Sequence, residues 1–251
     1  MNAIAISSFV FISLLGGAAL GLILRKVLPE HHLSSESKDA AKIAMALIAT
    51  MTALVLGLLI ASAKSSYDAQ STELTQMSEK IVLLDRVLAH YGPETKDVRE
   101  TLRANVADSF NQIWSSANDG SSQLEPKSTS AEAVFDKIQL LSPKDDAQRA
   151  LQASALNFAM NVGETRWLMY EQAGATISKP LLFIVVFWLV ILFISFGLFA
   201  PLNLTVVSSF FVCALSASAA IFLIVEMYRP YSGLIQISSV PLRAALAHLG
   251  Q

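Results

Sequence analysis

Charged side chains are scarce in this chain of 251 residues. Asp, Glu, Lys and Arg together make up 15% of it, against about 25% in typical soluble domains. Hydrophobic residues account for 53%, and the mean hydropathy is +0.51. These values exclude an ordinary soluble domain. The sequence also lacks a basic run or a basic stripe interleaved with aromatics, so we expect no nucleic-acid partner.

Cysteine and catalytic motifs are equally sparse. The single Cys213 lies in an apolar stretch, so no disulfide can form within one chain, and we expect this thiol to be a small buried hydrophobe. The adjacent His31 and His32 could touch a metal, but neighbours on a helix point about 100° apart and no third ligand is evident. Without a phosphate loop, HExxH, GxSxG or CxxC, the sequence predicts no catalytic residue, no metal, no cofactor and no enzyme.

Four uncharged windows are long enough to cross a bilayer, which takes about 20 apolar residues. They are residues 4–24, 43–63, 181–200 and 204–225. The first has no basic segment before it, and Arg25 and Lys26 stand where a signal peptide would have a small-residue cleavage site. We therefore interpret it as a retained helix. Pro201 separates the last two windows, which predicts a tight helical hairpin.

Four spans place both termini and the long polar segment on the same side of the membrane. Residues 65–178 carry ten Lys/Arg and sixteen Asp/Glu, a net charge of 10 − 16 = −6. The sequence thus divides into two spans, a polar bundle, two further spans and a C-terminal tail, at residues 1–64, 65–178, 179–228 and 229–251. The basic residues that flank the spans leave the orientation open.

Hydrophobic periodicity in the polar segment is helical throughout. One apolar seam repeats every three or four residues: Leu74, Met77, Ile81, Leu84, Leu88 and Tyr91. Because no breaker separates it from the second span, we expect one helix from about Asp39 to Tyr91, ended by Gly92. A second helix is expected from about residue 94 to 117. A short helix opens near Thr129, and a further one opens near Ser142 and runs toward the third span. The predicted fold class is an all-α integral membrane protein: four transmembrane helices whose extensions form a membrane-proximal bundle.

Small residues form a continuous column along the second span, which we call the small-residue stripe. Its members are Ala46, Thr50, Ala53, Gly57 and Ala61. Such columns let helices approach closely in lipid. Alternatively, the stripe faces a pore in which Thr50 offers a hydroxyl and apolar neighbours form a constriction. Four helices pack around their own side chains, so conduction would require a ring of identical subunits.

The fourth span ends abruptly in a charged segment. Glu226 and Arg229 lie three residues apart, so they share one face of a helix end. A carboxylate at the membrane edge is costly unless it is paired or wet. We consider pairing between these two charges, or of Glu226 with Lys64 or Lys179. The alternative is a pair of separately hydrated charges, with two nearby tyrosines, Tyr228 and Tyr231, anchoring the interface.

A short amphipathic helix is expected at the C-terminus. Ser238 or Ser239 caps it, and Leu242, Leu246 and Leu249 share one face. Such a face needs a partner, and we expect it to be the base of the bundle or a neighbouring subunit.

Several of these segments together resemble a known family. The first half carries Ala53-Leu-Val-Leu-Gly57 and then Tyr67-Asp68, and the second carries Leu192-Phe-Ile-Ser-Phe-Gly-Leu-Phe-Ala-Pro201-Leu-Asn203. The most specific part is Glu226…Arg229-Pro-Tyr-Ser-Gly233-Leu-Ile…Ser238-Ser-Val-Pro241-Leu. Across nearly the whole chain, this pattern is similar to the bestrophin-like membrane family.

The resemblance implies a homo-oligomeric, pentameric ion channel with its pore lined by the second span. It places both termini and the helical segment in the cytosol and the protein in the plasma or inner membrane. Bestrophin pores are narrowed by aromatic residues, whereas residues 43–63 contain none. The acidic segment favours cations, the resemblance favours anions, and selectivity stays open between them. The alternative function is a non-conducting scaffold or signalling protein whose helical segment binds a partner.

Overall fold

The computed structural model describes residues 2–29, 35–115, 128–173, 178–201 and 203–250, without the side chains of 36, 115, 128–131 and 173. Within these ranges the chain is helical and contains no strand. The helices are α1 (Ala3–Val27), α2 (Ser35–Tyr91), α3 (Lys96–Ser115), α4 (Ser128–Gln139), α5 (Asp146–Ala173), α6 (Lys179–Phe199), α7 (Leu204–Met227) and α8 (Val240–His248). Four of them, α1, α2, α6 and α7, are long and apolar enough to cross a membrane.

The long second helix is confirmed. It runs for 57 residues and begins four residues before the expected start at Asp39. It ends where Gly92 takes a φ of 136°, a left-handed backbone that favours glycine. A short 3-10 turn, Pro93–Thr95, then leads into α3.

The chain divides into two compact units. We call Met1–Ser65 with Thr176–Tyr228 the span unit, and Ser66–Ala175 with Arg229–Gln251 the bundle unit. The helix α2 contributes to both. The span unit therefore contains α1, α6, α7 and the first part of α2, whereas α3, α4, α5 and α8 belong to the bundle unit.

In the span unit, α1 packs against both α6 and α7, and its contact with α6 is by far the more extensive. Glycines make this contact close. A Cβ added to Gly21 would lie 2.0 Å from the carbonyl oxygen of Ile194, and one added to Gly197 would lie 2.2 Å from that of Ala18. Both distances are far inside van der Waals contact, so the two backbones touch only because these positions have no side chain. Gly17 faces the same helix, since a Cβ added there would lie 3.2 Å from the Val190 carbonyl oxygen.

The loop end of the span unit is held by polar contacts. The guanidinium of Arg25, in the last turn of α1, donates a hydrogen bond to the carbonyl oxygen of Ala200. Asn203 caps α7, because its side-chain oxygen accepts from the Val206 amide at 2.9 Å. Aromatic contacts support the same helices, with the rings of Phe11 and Phe211 5.5 Å apart and edge to face.

The core of the bundle unit contains the predicted seam. All six seam residues are at most 5% exposed, so this prediction is confirmed. They pack against the apolar faces of α3, α4, α5 and α8, whose buried members include Leu102, Ile138, Met169 and Leu242. One hydrophobic core thus joins every helix of the bundle unit.

A buried ion pair crosses this core. Asp85 on α2 is 2% exposed and accepts two hydrogen bonds from the Arg99 guanidinium on α3, at 2.7 and 2.8 Å. The same carboxylate accepts from the Gly250 amide at 3.3 Å. The hydrogen bond with Asp85 raises the pKa of Arg99. Because removing one partner of such a pair leaves a buried charge uncompensated, it fixes α2, α3 and the tail in one arrangement.

The C-terminal tail packs into the bundle unit. Its helix α8 contacts α3, and Leu242 and Leu249 are 1% and 2% exposed within the core. The guanidinium of Arg243 lies 5.5 Å from the ring centre of Phe110, a cation–π geometry. Of the two places considered for the apolar side of this helix, the structure has it in the bundle.

The glycine contact between α1 and α6 gives a stability prediction. We expect Gly21→Ala to lower the free energy of unfolding by about 1–3 kcal/mol or more, because the new methyl would overlap backbone atoms rather than a movable side chain. The measurement is thermal unfolding of the detergent-solubilised protein. Gly16→Ala is the matched control, since a Cβ there meets nothing within 4 Å. Equal melting temperatures for the two variants would contradict the close crossing.

Candidate functional site

The membrane part of α2 has one face turned into the span unit and one turned away from it. Thr52, Leu59 and Ala63 are buried, at 3%, 4% and 0% exposure. The small-residue stripe lies on the opposite side, and all five of its members are exposed. A helix turns about 100° per residue, which puts the centre of the stripe roughly 140° from the buried face.

Among the described residues, nothing packs closely against the stripe at Gly57. A Cβ added to Gly57 would meet nothing within 4 Å, in contrast to Gly21 and Gly197. The first interpretation of the stripe, close helix packing, is therefore not realised within one chain. The glycines that bring helices together lie on α1 and α6 instead. Sequence reasoning missed them, although Gly17 and Gly21 have the four-residue spacing typical of such contacts.

A column of leucines runs beside the stripe. Leu47, Leu54 and Leu58 are 63–70% exposed and lie about 80° around the helix from the stripe. Since both columns are uncovered in the single subunit, they differ only in side-chain size. Large leucines suit contact with lipid chains, whereas small side chains leave room for another helix or for a water column.

Thr50 is the one hydroxyl in the stripe. It donates its proton to the Ala46 carbonyl oxygen at 2.9 Å, a bond within the helix. What remains available outward is the oxygen with its lone pairs. The stripe therefore presents a hydrogen-bond acceptor and no charged group, which suits water or a cation better than an anion.

A comparable set of small residues lies on α7. Ser209, Cys213 and Ser216 are exposed and Ala220 is half-buried. Both serine hydroxyls donate to carbonyl oxygens four residues earlier, at 2.9 and 2.8 Å. The expectation of a buried Cys213 was wrong, because this apolar helix face is not covered within the subunit.

Glu226 and Arg229 lie in different units. Glu226 is 3% exposed in the last turn of α7, whereas Arg229 is half-buried at the start of the tail. A carboxylate so far from water does not fit the alternative of a separately hydrated charge. Nearby, the Tyr228 hydroxyl lies 3.2 Å from the hydroxyl of Ser62 on α2, one half-turn before Lys64. The pairing of Glu226 stays a prediction.

Tyr231 has a different environment from the one considered for it. It is 3% exposed and belongs to the bundle core, so it is not an interfacial anchor. Burial, together with the charge of Glu73, raises the pKa of its hydroxyl. Beyond it the chain turns back on itself, since the Ile237 amide donates to the Pro230 carbonyl oxygen at 2.8 Å and Gly233 has a φ of 98°. His31 and His32, considered as metal ligands, lie outside the described residues.

These features define a class: an all-α membrane protein with four helices long enough to span a bilayer. A family model for the bestrophin-like domain matches residues 12–242, which is most of the chain. The protein therefore belongs to the bestrophin-like family, as the sequence motifs indicated. No curated protein and no solved structure matches the chain. Family membership indicates a channel-like membrane protein rather than an enzyme.

The burial of Glu226 generates a testable prediction. The pairing hypothesis predicts that Glu226→Gln lowers the free energy of unfolding by about 3–5 kcal/mol, because a basic partner of the carboxylate would lose its counter-charge. Thermal unfolding and gel filtration of the detergent-solubilised protein measure stability and assembly. Glu164→Gln, at an exposed position on α5, is the matched control. Unchanged melting and assembly in Glu226→Gln would remove the pairing hypothesis.

Proposed function

We propose that identical subunits, five by analogy with bestrophins, form a ring around a central axis and let inorganic ions cross the membrane through it. The observation that carries this proposal is the exposed small-residue stripe of α2, uncovered inside the subunit and free of charge. In a ring, Ala46, Thr50, Ala53, Gly57 and Ala61 face the axis.

The burial pattern of the spans supports an assembly. Only 17% of the apolar window of α2 is buried in the subunit, the lowest share among the four spans, which otherwise range from 22% to 28%. The helix α1 packs on both α6 and α7. A ring built around α2 would cover the span that one subunit covers least.

The chemistry of the stripe supports a narrow, weakly selective path. Small apolar side chains hold no water tightly, so such a constriction gates by wetting and dewetting. The Thr50 oxygen is the polar atom that a passing ion would meet. Residues 65–178 bring a net charge of 10 − 16 = −6, which concentrates cations near them. The charges thus favour cations over anions.

The same proposal assigns the sides of the membrane. Both termini, the helical segment 65–178 and the tail 229–251 lie in the cytosol, and the protein resides in the plasma or inner membrane. The family membership supports this orientation.

The first test narrows the path at Gly57. We expect Gly57→Leu to reduce ion flux into liposomes that contain only the purified protein by roughly tenfold or more, because a bulky apolar group closes a dewetting constriction. The subunit should still fold, since a Cβ at this position meets no neighbour in the subunit. The oligomer should persist as well, because in the proposed ring the stripe faces the axis and not another subunit. Gly16→Leu is the matched control and should leave ion flux unchanged, because Gly16 lies on α1 and a Cβ there also meets nothing within 4 Å.

Two outcomes contradict the proposal. If the wild-type protein keeps its oligomer but gives background flux, the protein is a non-conducting scaffold or signalling protein. If Gly57→Leu instead breaks the oligomer, the stripe is a packing surface between subunits.

A second test maps the wall of the path chemically. In a Cys213→Ala background, we expect Ala53→Cys to react with a water-soluble, membrane-impermeant thiosulfonate and to lose its current. Leu58→Cys lies on the leucine column, about 140° around the helix from Ala53 itself. It should react roughly tenfold more slowly or worse, because thiols in lipid do not ionise. Equal reaction rates at the two positions would show that the stripe does not face water.

A further inference from the structure

The bundle unit contains a cavity of about 90 Å³. Helices α2, α3, α4, α5 and α8 all contribute to its walls. Most of the lining is apolar, and the side chains at its floor include Met77, Leu84, Val134 and Met169. Such a space, apolar with a few convergent polar groups, is the usual form of a small-molecule site.

One wall of the cavity carries polar groups in register. Asn105, Ser109 and Gln112 lie on α3 at spacings of four and three residues and line the cavity together. They share one side of the helix, next to Val106 and Ile113, which belong to the core. A ligand in the cavity would meet amide and hydroxyl groups on this wall and hydrocarbon below it.

Arg166 on α5 supplies the charge. Arg166 is half-buried and lines the cavity, and within the described residues its side chain makes no ion pair and no hydrogen bond. Among the described residues, the lining includes no Asp or Glu. Removal from water lowers the pKa of Arg166, the opposite of what a carboxylate partner does for Arg99. A guanidinium in such surroundings is stabilised by an anion that binds its two parallel N–H groups.

Gly163 leaves part of the cavity volume free. It lies inside α5, lines the cavity, and a Cβ added there would meet nothing within 4 Å. Glycine in the interior of a helix is unfavourable compared with alanine. At this position its effect is to leave space one turn from Arg166.

We propose that this cavity binds a small carboxylate with a short apolar tail of about four to six carbons. The carboxylate pairs with the Arg166 guanidinium, and the tail lies between Gly163 and the methionines Met77 and Met169. A volume of 90 Å³ holds about three groups of the size of a water molecule, which is enough for the inner carbons of such a tail. Methionine side chains adapt to small differences in shape. A hydrated inorganic anion would gain nothing from the apolar floor. The site is independent of whether the protein conducts ions.

The test uses the purified full-length protein in detergent and radiolabelled hexanoate in equilibrium dialysis. We expect saturable binding of one hexanoate per subunit. Hexanamide, which has the same tail without the charge, should bind about tenfold more weakly or worse, since hydrogen bonds to charged groups are the stronger ones. Chloride in large excess should not displace hexanoate.

Four variants locate the site. We expect Arg166→Gln to weaken hexanoate binding by about tenfold or more and Arg166→Lys to retain part of the affinity. Gly163→Leu should abolish binding while keeping the charge, because its side chain occupies the cavity. Arg149→Gln, which removes an exposed guanidinium from the same helix, should bind like the wild type. Helicity and elution volume confirm that each variant folds.

Three results would overturn the proposal. Equal affinity of the wild type and Arg166→Gln would mean that hexanoate binds without the guanidinium. Displacement by chloride would indicate an inorganic anion in place of an amphiphile. Absence of saturable binding to the folded wild type would show that the cavity does not accept this class of ligand.

Discussion

The span unit depends on the direct contact between the backbones of α1 and α6. In lipid, burying apolar surface between helices gains little over contact with lipid chains, so association relies on close van der Waals packing. Gly21 and Gly197 make this possible, since a side chain on either would fall 2.0–2.2 Å from a carbonyl oxygen of the other helix. Among the described residues, the small-residue stripe on the outward face of α2 stays exposed in the subunit. The close contact of α1 with α6 thus builds the subunit, and the exposed face of α2 remains for an assembly.

Residue type alone does not assign these surfaces, because small residues serve two purposes in this protein. On α1 and α6, the backbone of the opposite helix occupies the space that a side chain at the glycine would take. At Gly57 the space is open. The distinction lies in burial, which a single sequence does not reveal. The small-residue stripe on α2 is the more continuous column, and yet it is the exposed one in the subunit.

Hydrophobic periodicity predicted the helices correctly. It did not predict which residues of different helices contact each other. The seam from Leu74 to Tyr91 and the uninterrupted α2 could be predicted, because a helix that buries one face must repeat every three to four residues. The pair formed by Asp85 and Arg99 could not, since their fourteen-residue separation is bridged only when α2 and α3 fold back on each other. Cys213 and Tyr231 were misjudged for a related reason. Apolar surroundings in the sequence do not imply burial in a membrane protein, and a tyrosine near a span end can belong to a soluble core.

Two half-buried arginines of the bundle unit, Arg99 and Arg166, show how charge is handled in this core. Arg99 meets a carboxylate with two hydrogen bonds, and its pKa rises as a consequence. Arg166 faces an apolar cavity whose described lining offers no acid, and its pKa falls. Leaving a charge in that state opposes folding, and a hydrophobic residue of similar volume would be the more stable choice. Because an arginine stands there instead, next to a glycine that keeps the space open, an anion with an apolar tail is the partner that satisfies both features at once.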